Sequence, residues 1–488
     1  MNFGKWFLVL IIMICPFLQA QKKMQQKNRP DDKVVHNGVP WFDDRGKVVN
    51  AHGACLIEEE GIYYLFGEYK TDSANRFIGF SCYSSPDLIT WKFERIALPV
   101  QQSGLLGPGR IGERVKVMKN PKTQEFVMFM HTDDMKYMDP YIGVATSKTI
   151  NGEYEFRGAL LYEDNPIKKW DMGTFQDTDG EGYLLIHHGD IYRLSDDYLY
   201  ANKKVANSIP GVGESPAMFK KDGLYYLLSS NLTSWERNDN HYHTAKSIAG
   251  PWQKQGLFCP EGTLTHNSQC SFVFPLVRGQ DTIPIYMGDR WSFPKQADAA
   301  TQVWQPLQTS GEKLSIPEYW PSWDVNSLTR VIFSKDRYIE LPRNTSLYSN
   351  KKGDFARIPF NGLPIGLLGE SGPHGGYAKM SITDKNGKEI FSSLVDFYSK
   401  VTNTGLRFIT PSLPKGDYSL QITVSGEHGV WYNKAGDKFG SDDYWVKLHQ
   451  ILVLTQPDFE ESKKYILPSE SKSNPILHGC FADPEVMY

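Results

Sequence analysis

Five polar residues recur at one place in a repeated sequence pattern, and their side chains could do chemistry. They are His52, Glu113, Asp171, Glu214 and Gln269, each followed by a strand-like run, a polar turn and an aromatic-rich strand. Three of them are carboxylates, and hydrolysis of a glycosidic bond needs carboxyl groups whose environments separate their pKa values. A polar residue before a strand is often only a turn or cap residue. The repetition favours a shared site.

Glu214 is the predicted general acid of this set. It lies in GVGESPAMF, where no basic residue is adjacent, so no local positive charge would keep its carboxylate ionised. Asp171 lies in KWDMGTFQDTDG and is the predicted neighbour of the acid. Because like charges raise the pKa of a carboxyl group, Asp171 would keep Glu214 protonated.

The elements that must position these residues are strands. Helical periodicity is scarce, whereas short β-rich runs bounded by Gly, Asp and Asn recur through residue 330 and again towards residue 455. The repeat copies follow one another at about 40 to 60 residues, which suits the four-stranded blades of a propeller. The sequence therefore predicts an all-β fold, with a five-bladed β-propeller over residues 37–325. In a propeller the innermost strands all begin at one end of the axis, so the five residues should face one another.

Two segments of this propeller region resemble glycoside hydrolase family 43. They are DMGTFQDTDGEGYLL, which contains Asp171, and GESPAMFKKDGLYYLLSS, which contains Glu214. With the blade repeat, the resemblance covers about residues 37 to 325. It implies an inverting, five-bladed glycosidase in which Glu214 is the general acid and Asp171 modulates its pKa and orients it.

The first repeat copy departs from the family pattern. The family usually has a general-base Asp in an Asp-Pro pair there, whereas this chain has NAHGACLI with His52. The loss resembles the branch of exo-β-1,3-galactanases and β-1,3-galactosidases, which share AHG, YYxxGE, ERxKV and NSQ segments. That resemblance implies that Glu68 and Glu113 bind the terminal galactose and that Gln269 stands where water is activated. It also makes His52 and Asn267 substrate contacts.

The base of the reaction stays open between Gln269 and Glu113. A neutral amide is a poor base, so Gln269 would have to orient the water or act through its imidic-acid tautomer. Glu113 is the rival assignment. In an inverting enzyme the two carboxyl groups are about 6.5–9.5 Å apart, so their separation would test it.

Aromatic and histidine residues give weaker signals. Trp235 in NLTSWERN and Trp291 in GDRW follow strands and could stack on the galactose face, or could simply pack between blades. Asp289 and Arg290 suggest an ion pair within the last blade. The histidine pairs 187–188 and 241/243 lack partners at metal-ligand spacing, so no metal site is predicted. No cofactor is required, and an axial calcium ion, which some family 43 members hold, stays undecided.

Composition excludes several classes of function. The chain has 53 Lys and Arg against 56 Asp and Glu, a net charge of −3, and no basic stripe, which argues against a nucleic-acid binder. It has 12 Trp and 26 Tyr, residues that line polar clefts and stack on sugars. Its six Cys are scattered and form no CxxC motif, so buried free thiols are expected rather than a disulfide framework.

The ends of the chain suggest further segments. Residues 1–20, with Lys5, an apolar run and Ala20, are typical of a secretory signal peptide, which predicts an exported periplasmic or extracellular protein without a membrane span. Residues 326–456 read as a β-sandwich that either binds carbohydrate or only packs, with Trp431, Tyr432 and Trp445 as candidate platforms. Residues 457–488 read as a linker and the truncated start of a second family 43 domain.

The prediction that combines these observations is an exported, monomeric exo-glycosidase. It would release galactose from plant-type β-1,3-linked galactan or arabinogalactan oligosaccharides. Within the same family the alternatives are an α-L-arabinofuranosidase or a β-xylosidase. From a different class, the alternative is a non-catalytic glycan-binding propeller that has lost its base.

Overall fold

The computed structural model describes residues 34–340 and 348–454. The predicted signal peptide and the predicted second-domain start at 457–488 lie outside the described residues. The chain divides into two compact units. The larger unit holds Asp32–Val331 together with Trp431–Phe439, and the smaller unit holds Ile332–Val430 and the chain from Gly440. The all-β prediction is confirmed, since strands make up 53% of the protein and helix 3%.

The larger unit contains five antiparallel sheets that follow one another along the chain. β1 (Val34–His36) precedes them and belongs to a separate three-stranded sheet. The first three of the five sheets are formed by β2 (His52–Glu59), β3 (Ile62–Glu68), β4 (Gly79–Ser85) and β5 (Lys92–Pro99); by β6 (Arg110–Lys119), β7 (Phe126–Asp134), β8 (Tyr141–Ser147) and β9 (Glu155–Ala159); and by β10 (Leu161–Tyr162), β11 (Asn165–Pro166), β12 (Met172–Gln176), β13 (Gly182–Ile186), β14 (Asp190–Leu194) and β15 (Ala201–Ala206).

The remaining strands of this unit complete the fourth and fifth sheets and three shorter pairings. They are β16 (Glu214–Lys221), β17 (Leu224–Ser230), β18 (His241–Ala245) and β19 (Gln253–Leu257); β20 (Gln269–Arg278), β21 (Asp281–Arg290) and β22 (Thr301–Pro306); β23 (Gln308–Ser310) with β24 (Lys313–Ser315); and β25 (Ser322–Asp324), which pairs with β1 on one side and with β26 (Thr329–Arg330) on the other. Short helical turns cover Gly104–Leu106, His187–Gly189 and Leu264–Asn267, and Lys335–Arg337 in the smaller unit.

Two of the five sheets depart from the predicted four strands. The third sheet has six, because β10 adds parallel to β15 and carries β11 with it. The fifth sheet has three strands, and the chain before β2 lies beside its last strand. There the backbone N–H of Gly38 donates to Gln302, and the Asn37 amide bonds to both the N–H and the carbonyl of Trp304.

The first strands of the five sheets contact one another in sequence: β2 contacts β6, β6 contacts β12, β12 contacts β16, β16 contacts β20, and β20 contacts β2. Hydrophobic clusters fill the spaces between neighbouring sheets in the same order. In β3, for example, Leu65 packs towards the fifth sheet and Phe66 towards the second. Since side chains alternate along a strand, an apolar run such as YYLF is buried on both faces. Much of the aromatic content therefore packs sheet against sheet.

The smaller unit contains two antiparallel sheets. Their inward residues alternate with exposed ones, as in β29, where Ala356, Ile358 and Phe360 are buried. The strands are β27 (Tyr338–Glu340), β28 (Tyr348–Ser349), β30 (Ile365–Ser371), β33 (Asn403–Ile409) and β37 (Val446–Val453) in one sheet, and β29 (Phe355–Phe360), β31 (Tyr377–Asp384), β32 (Glu389–Asp396) and β34 (Tyr418–Val424) in the other. β35 (Val430–Tyr432) pairs with β36 (Lys438–Gly440) in a hairpin whose residues Trp431–Phe439 belong to the larger unit.

The three candidate platform residues have different surroundings. Trp431 is buried and stacks on Phe439, so its prediction as a sugar platform is wrong. Tyr432 is 63% exposed. Trp445 is half-buried against Tyr348, with the Lys447 ammonium over both rings. Tyr432 and Trp445 keep their predicted role as candidates only.

Four cysteines lie in the described part of the chain, namely Cys55, Cys82, Cys259 and Cys270, and all are buried free thiols, as predicted. Within those same residues, none of the helices has the length and apolar character needed to cross a bilayer.

Candidate active site

The five predicted residues lie at or near the starts of the five first strands. His52, Glu214 and Gln269 are the first residues of β2, β16 and β20, Glu113 lies in β6, and Asp171 directly precedes β12. Because these strands contact one another in order, their ends meet at one place in the larger unit. Direct side-chain contacts then join Asp171, Gln269 and Glu214. Arg114, which the sequence analysis missed, contacts Asp171 and Gln269, and Gln269 contacts Glu214.

A β-bulge follows three of these residues and sets the direction of their side chains. The pairing register shifts after His52, Glu113 and Glu214, and the next residue has a positive φ each time: 56° at Gly53, 56° at Arg114 and 54° at Ser215. A bulge inserts one extra residue and re-aims the chain locally. At the first bulge glycine is required, since a Cβ on Gly53 would lie 2.0 Å from the Glu68 carboxylate.

Arg114 is the residue that joins the site. Its Nε lies 3.0 Å from Oδ2 of Asp171, and its Nη2 donates to Oε1 of Gln269 at 2.9 Å. Its backbone N–H donates to Oε1 of Glu68 at 2.8 Å. Arg114 lies in the ERVKV segment, but its sequence position does not show that its guanidinium faces the carboxylate of Asp171. The bulge after Glu113 gives it that direction.

Hydrogen-bond donors and cations surround Glu113. Its Oε1 accepts from Asn75 Nδ2 at 2.7 Å and from the Tyr137 hydroxyl at 2.8 Å. Its Oε2 lies 3.3 Å from Nδ1 of His131, and the Lys70 ammonium lies 3.8 Å from Oε1. The sequence analysis did not predict these four partners, because it considered the starts of the first strands. Lys70 and Asn75 lie in the loop after β3, His131 lies in β7, and Tyr137 lies in the loop after β7.

These partners keep Glu113 ionised. Burial alone would raise the pKa of the Glu113 carboxyl, but the hydrogen bond with His131 and the charge of Lys70 outweigh it and hold the pKa well below its ordinary value. Burial would likewise lower the pKa of His131, yet hydrogen bonds with Asp133 and Glu113 raise it to about 9. At neutral pH this pair is therefore a carboxylate and an imidazolium.

Glu214 has the opposite surroundings. Its Oε1 accepts a hydrogen bond from Nε2 of Gln269 at 2.9 Å. Burial and then the negative charge of Asp171 raise the pKa of Glu214 to about 8, against smaller lowering effects of Arg114 and Gln269. The carboxyl group is therefore protonated at neutral pH, which is the state required of a general acid.

Gln269 uses its whole amide on protein partners. Its oxygen accepts from Arg114 Nη2 at 2.9 Å and from Trp291 Nε1 at 2.7 Å, while its nitrogen donates to Glu214 and to Ser230 Oγ at 2.9 Å each. An amide offers two acceptor and two donor positions, and all four are used. With these four bonds in place, the amide has no position left for a water molecule. The water-activating position predicted for Gln269 stays a prediction.

Four of the five predicted substrate contacts are buried in the protein. His52 is 0% exposed, and Glu68 is bonded to Arg114 and lies 2.5 Å from the Lys70 ammonium. Asn267 accepts from Arg237 through its Oδ1, and Trp291 is only 2% exposed. These side chains are enclosed by protein atoms in this structure. Their predicted direct contact with sugar stays a prediction.

Trp235 is the predicted substrate contact that keeps a half-exposed side chain. Its indole stacks on Phe293 at 5.5 Å between ring centroids and lies edge-on to Trp291 at 5.3 Å. The Lys70 ammonium lies 5.5 Å from its ring centre. The face of Trp235 that Phe293 leaves free is therefore the aromatic surface available on this side of the site.

Trp170 was missed by the sequence analysis, although it directly precedes Asp171. Its indole is 36% exposed, lies edge-on to His187 at 5.7 Å, and donates to the Tyr137 carbonyl at 3.4 Å. The ammonium of Lys434, which belongs to the same unit, donates to that carbonyl at 3.0 Å and lies 5.6 Å from the Trp170 ring. Tyr137 thus connects this aromatic rim to Glu113.

Metal-ligating groups do come together in the site. Ligand atoms of Glu113, His131 and Asp171 lie within 4.8 Å of one another. The imidazolium of His131 would first have to lose the proton that its two carboxylate partners stabilise. Of the other two histidine pairs, 241/243 has protein partners, since His241 and His243 bond to the backbone carbonyls of Gly211 and Pro210. That the reaction requires no metal ion stays a prediction.

The predicted ion pair between Asp289 and Arg290 is wrong. Adjacent residues of a strand point to opposite faces. Asp289 accepts from the Gly53 N–H at 3.1 Å and lies 3.8 Å from Nδ1 of His52, whereas Arg290 donates to the backbone carbonyls of His266 and Asn267.

Comparison with known proteins accords with this geometry. The sequence profile of Glycosyl hydrolases family 43 matches residues 54–260. A Bifidobacterium bifidum s17 structure assigned as an exo-β-1,3-galactanase is 35% identical, with a TM-score of 0.54, over 57% of this chain and 95% of that one. This chain belongs to glycoside hydrolase family 43.

Two longer structural matches extend over both units of this family 43 chain. The exo-β-1,3-galactanase from Phanerochaete chrysosporium, solved with galactose, is 27% identical with a TM-score of 0.63 over 86% of this chain and 99% of that one. The exo-β-1,3-galactanase from Clostridium thermocellum is 25% identical with a TM-score of 0.56 over 87% and 100%. A comparison with curated protein sequences gave no match. The protein is a glycosidase.

Proposed function

We propose that this family 43 glycosidase is an inverting exo-enzyme that releases galactose from β-1,3-linked galactan or arabinogalactan side chains. The observation that carries the proposal is the contrast between Glu214, protonated at neutral pH beside Asp171, and Glu113, ionised among cations. A proton donor and an ionised carboxylate are the two groups that inverting hydrolysis uses. The galactose-specific part rests on the similarity to exo-β-1,3-galactanases.

The fold proposed for the larger unit is a five-bladed β-propeller. Its support is the order of strand contacts, in which β20 returns to β2, and the hydrophobic cluster at each junction between neighbouring sheets. The smaller unit is proposed to be a β-sandwich on the basis of its two antiparallel sheets. Export, a monomeric state and independence from a cofactor stay predictions.

In the proposed reaction Glu214 protonates the leaving group. Its Oε1 accepts the Gln269 N–H, so the carboxyl proton is held on the other oxygen. That proton moves to the glycosidic oxygen as the bond from this oxygen to the anomeric carbon breaks. Asp171 then lies next to a newly formed carboxylate, and Arg114 beside both limits the repulsion between them.

On the water side we favour Glu113 over Gln269. Among the described residues, Oε2 of Glu113 has a single partner, His131, and so has room to accept a hydrogen bond from water. Water would attack the anomeric carbon from the face opposite the leaving group and pass a proton to Glu113. A carboxylate of low pKa is a weak base, but between the lowered pKa of Glu113 and the raised pKa of Glu214 it is ionised while Glu214 is protonated.

The test is hydrolysis of β-1,3-galactobiose by the purified protein, followed by NMR of the first-formed anomer. The expected product is α-galactose, which reports inversion. Glu214→Gln is the matched variant and should lose activity on the disaccharide by about 10²–10⁴-fold. Unchanged hydrolysis by this variant, or an initial β-anomer, would overturn the proposal.

The alternatives separate in the same assay. A panel of aryl α-L-arabinofuranosides and β-xylosides would be hydrolysed faster than the galactobiose if the enzyme were one of the other family 43 glycosidases. A non-catalytic propeller would bind the galactobiose in calorimetry and yield no product on long incubation. The raised pKa of Glu214 argues against that alternative, because a binding protein gains nothing from a buried protonated acid.

A further inference from the structure

A turn of left-handed backbone precedes Gln269. Four consecutive residues, Leu264 to Asn267, have φ values of 54°, 53°, 53° and 58°, and none of them is glycine. Residues with side chains visit this region singly and rarely in runs. Such strained backbone persists only where the surrounding structure holds it, and it clusters at functional sites.

The preceding loop holds the first half of the turn. The Asp239 carboxylate accepts the backbone N–H groups of Gly262 and Leu264 at 2.8 Å each. Oγ1 of Thr265 accepts the N–H of Asn240 at 2.7 Å and donates to the carbonyl of Asn238 at 3.0 Å. The groups that bind the turn are thus supplied by the loop between β17 and β18.

Two arginines hold the second half. Arg290 donates to the carbonyls of His266 at 3.1 Å and Asn267 at 3.0 Å. Arg237 is buried, and its Nε donates to Oδ1 of Asn267 at 2.9 Å while its Nη1 donates to the Trp291 carbonyl at 2.9 Å. Arg237 therefore ties the turn to the residue whose indole N–H binds Gln269.

We propose that Arg237 and the left-handed turn form a positioning device that fixes Gln269 and, through it, the general acid Glu214. Gln269 lies two residues after the turn, and the three groups that orient its amide are Trp291, Arg114 and Ser230. Arg237 holds both the end of the turn and Trp291, so it sets the position of the Gln269 backbone and of one amide partner together. The inference rests on the proposed role of Glu214.

The device should affect proton transfer more than substrate binding. Arg237 is covered by protein and would act through Asn267 and Trp291, to which it donates hydrogen bonds. Without it, the Gln269 amide loses its fixed direction and its hydrogen bond to Glu214 weakens. Since that hydrogen bond lowers the pKa of Glu214, its loss should raise this pKa further and leave the carboxyl proton free to point away from the leaving group.

The variants that test the device are Arg237→Lys and Asn267→Gly. Lys cannot bond to Asn267 and Trp291 with the geometry of a guanidinium, and Gly accepts the positive φ of residue 267 while removing the amide that Arg237 binds. If Arg237→Lys fails to fold, Asn267→Gly still tests the device. The matched control is Arg278→Lys, at the surface end of β20.

The measurements are kcat and KM on β-1,3-galactobiose across pH. Both variants are expected to lower kcat about tenfold or more with KM nearly unchanged, and to move the basic limb of the profile to higher pH. The control should behave as wild type. Equal changes in kcat and KM with an unmoved basic limb, or no change at all, would overturn the inference.

A second readout does not depend on turnover. Carbon-13 NMR of labelled glutamate carboxyls, with Glu214 assigned by its absence in Glu214→Gln, gives the pKa of Glu214 in each protein. A higher pKa in Arg237→Lys and Asn267→Gly supports the device even if the wild type fails to hydrolyse galactobiose. An unchanged pKa in a folded variant rejects the device and leaves the proposed function standing.

Discussion

Glu113 and Glu214 are two buried carboxyl groups of one site with opposite surroundings. Around Glu113 lie the His131 imidazolium, the Lys70 ammonium and two neutral donors. Around Glu214 lie one neutral amide, the carboxylate of Asp171, and the Arg114 guanidinium, whose lowering effect on the Glu214 pKa is smaller than the raising effect of Asp171. Burial is the largest single effect on both groups and acts in the same direction, yet the pKa of Glu113 falls and that of Glu214 rises.

Burial alone therefore does not identify which of the two carboxyl groups is the general acid. Burial favours the neutral form of any carboxyl group, and the charges and hydrogen bonds around it decide whether that preference survives. The sequence around Glu214 shows the absence of a basic neighbour, whereas the cations around Glu113 come from other loops and strands. Four variants, each with one residue of the site changed, test the roles inferred for the two carboxyl groups and their neighbours.

The largest effect is expected for Glu113→Gln, which keeps the size of the side chain and removes its charge. We expect kcat/KM on galactobiose to fall by about 10²–10⁴-fold, because water loses its base. Azide should restore turnover in Glu113→Gly and yield α-galactosyl azide, which mass spectrometry and NMR detect. The exposed variant Glu58→Gln is the control. Full activity in Glu113→Gln would mean that a residue other than Glu113 activates the water.

Asp171→Asn should shift the pH dependence. The charge of Asp171 raises the pKa of Glu214, so removing it lowers that pKa from about 8. Activity requires protonated Glu214 and is lost as pH rises through its pKa, so the basic limb of kcat/KM should move to lower pH. The exposed turn variant Asp222→Asn is the control. A basic limb that stays in place would show that Asp171 does not set the protonation of the acid.

Trp170→Ala tests whether the exposed indole beside Asp171 contacts the chain beyond the cleaved bond. Loss of an aromatic platform is expected to raise KM for β-1,3-galactotriose by about fivefold, a cost of about 1 kcal/mol. KM for a nitrophenyl galactoside should change less, since its leaving group is short. Tyr200→Ala, another exposed aromatic of the third sheet, is the control. Equal effects on both substrates would count against a leaving-group contact.

Ser230→Ala should have the smallest effect. It removes one of the two acceptors of the Gln269 amide nitrogen while the bond to Glu214 remains. A neutral hydrogen bond contributes about 1 kcal/mol, so kcat should fall by no more than about fivefold. Steady-state kinetics at the optimum pH measures this. A loss as large as that of Glu113→Gln would mean that Ser230 itself takes part in the reaction.

The sequence predicted the parts of the site that depend on repetition. The repeated hairpins located the first strands, and their common starting point predicted that His52, Glu113, Asp171, Glu214 and Gln269 would lie together. The same pattern predicted an all-β fold, because alternating apolar runs bounded by turn residues are a local property of the chain.

The sequence could not predict how each side chain is used. Arg114 enters the site only because the bulge after Glu113 gives it a positive φ. The indole N–H of Trp291 donates to Gln269, and its ring lies edge-on to Trp235. The Gln269 amide is bonded to four partners from other strands and loops, one of which is the proposed acid Glu214. Each of these depends on contacts between residues far apart in the chain.

The order of sheet contacts has a consequence for how the enzyme loses activity. Each of the five residues is supplied by a different sheet, and each sheet is packed mainly through the hydrophobic clusters it shares with its two neighbours. Opening of any one sheet therefore withdraws one residue from the centre and exposes the faces of two others. On heating or in denaturant, catalysis should disappear with the first sheet to open, so enzymatic assay reports the integrity of the weakest junction rather than the average of the whole domain.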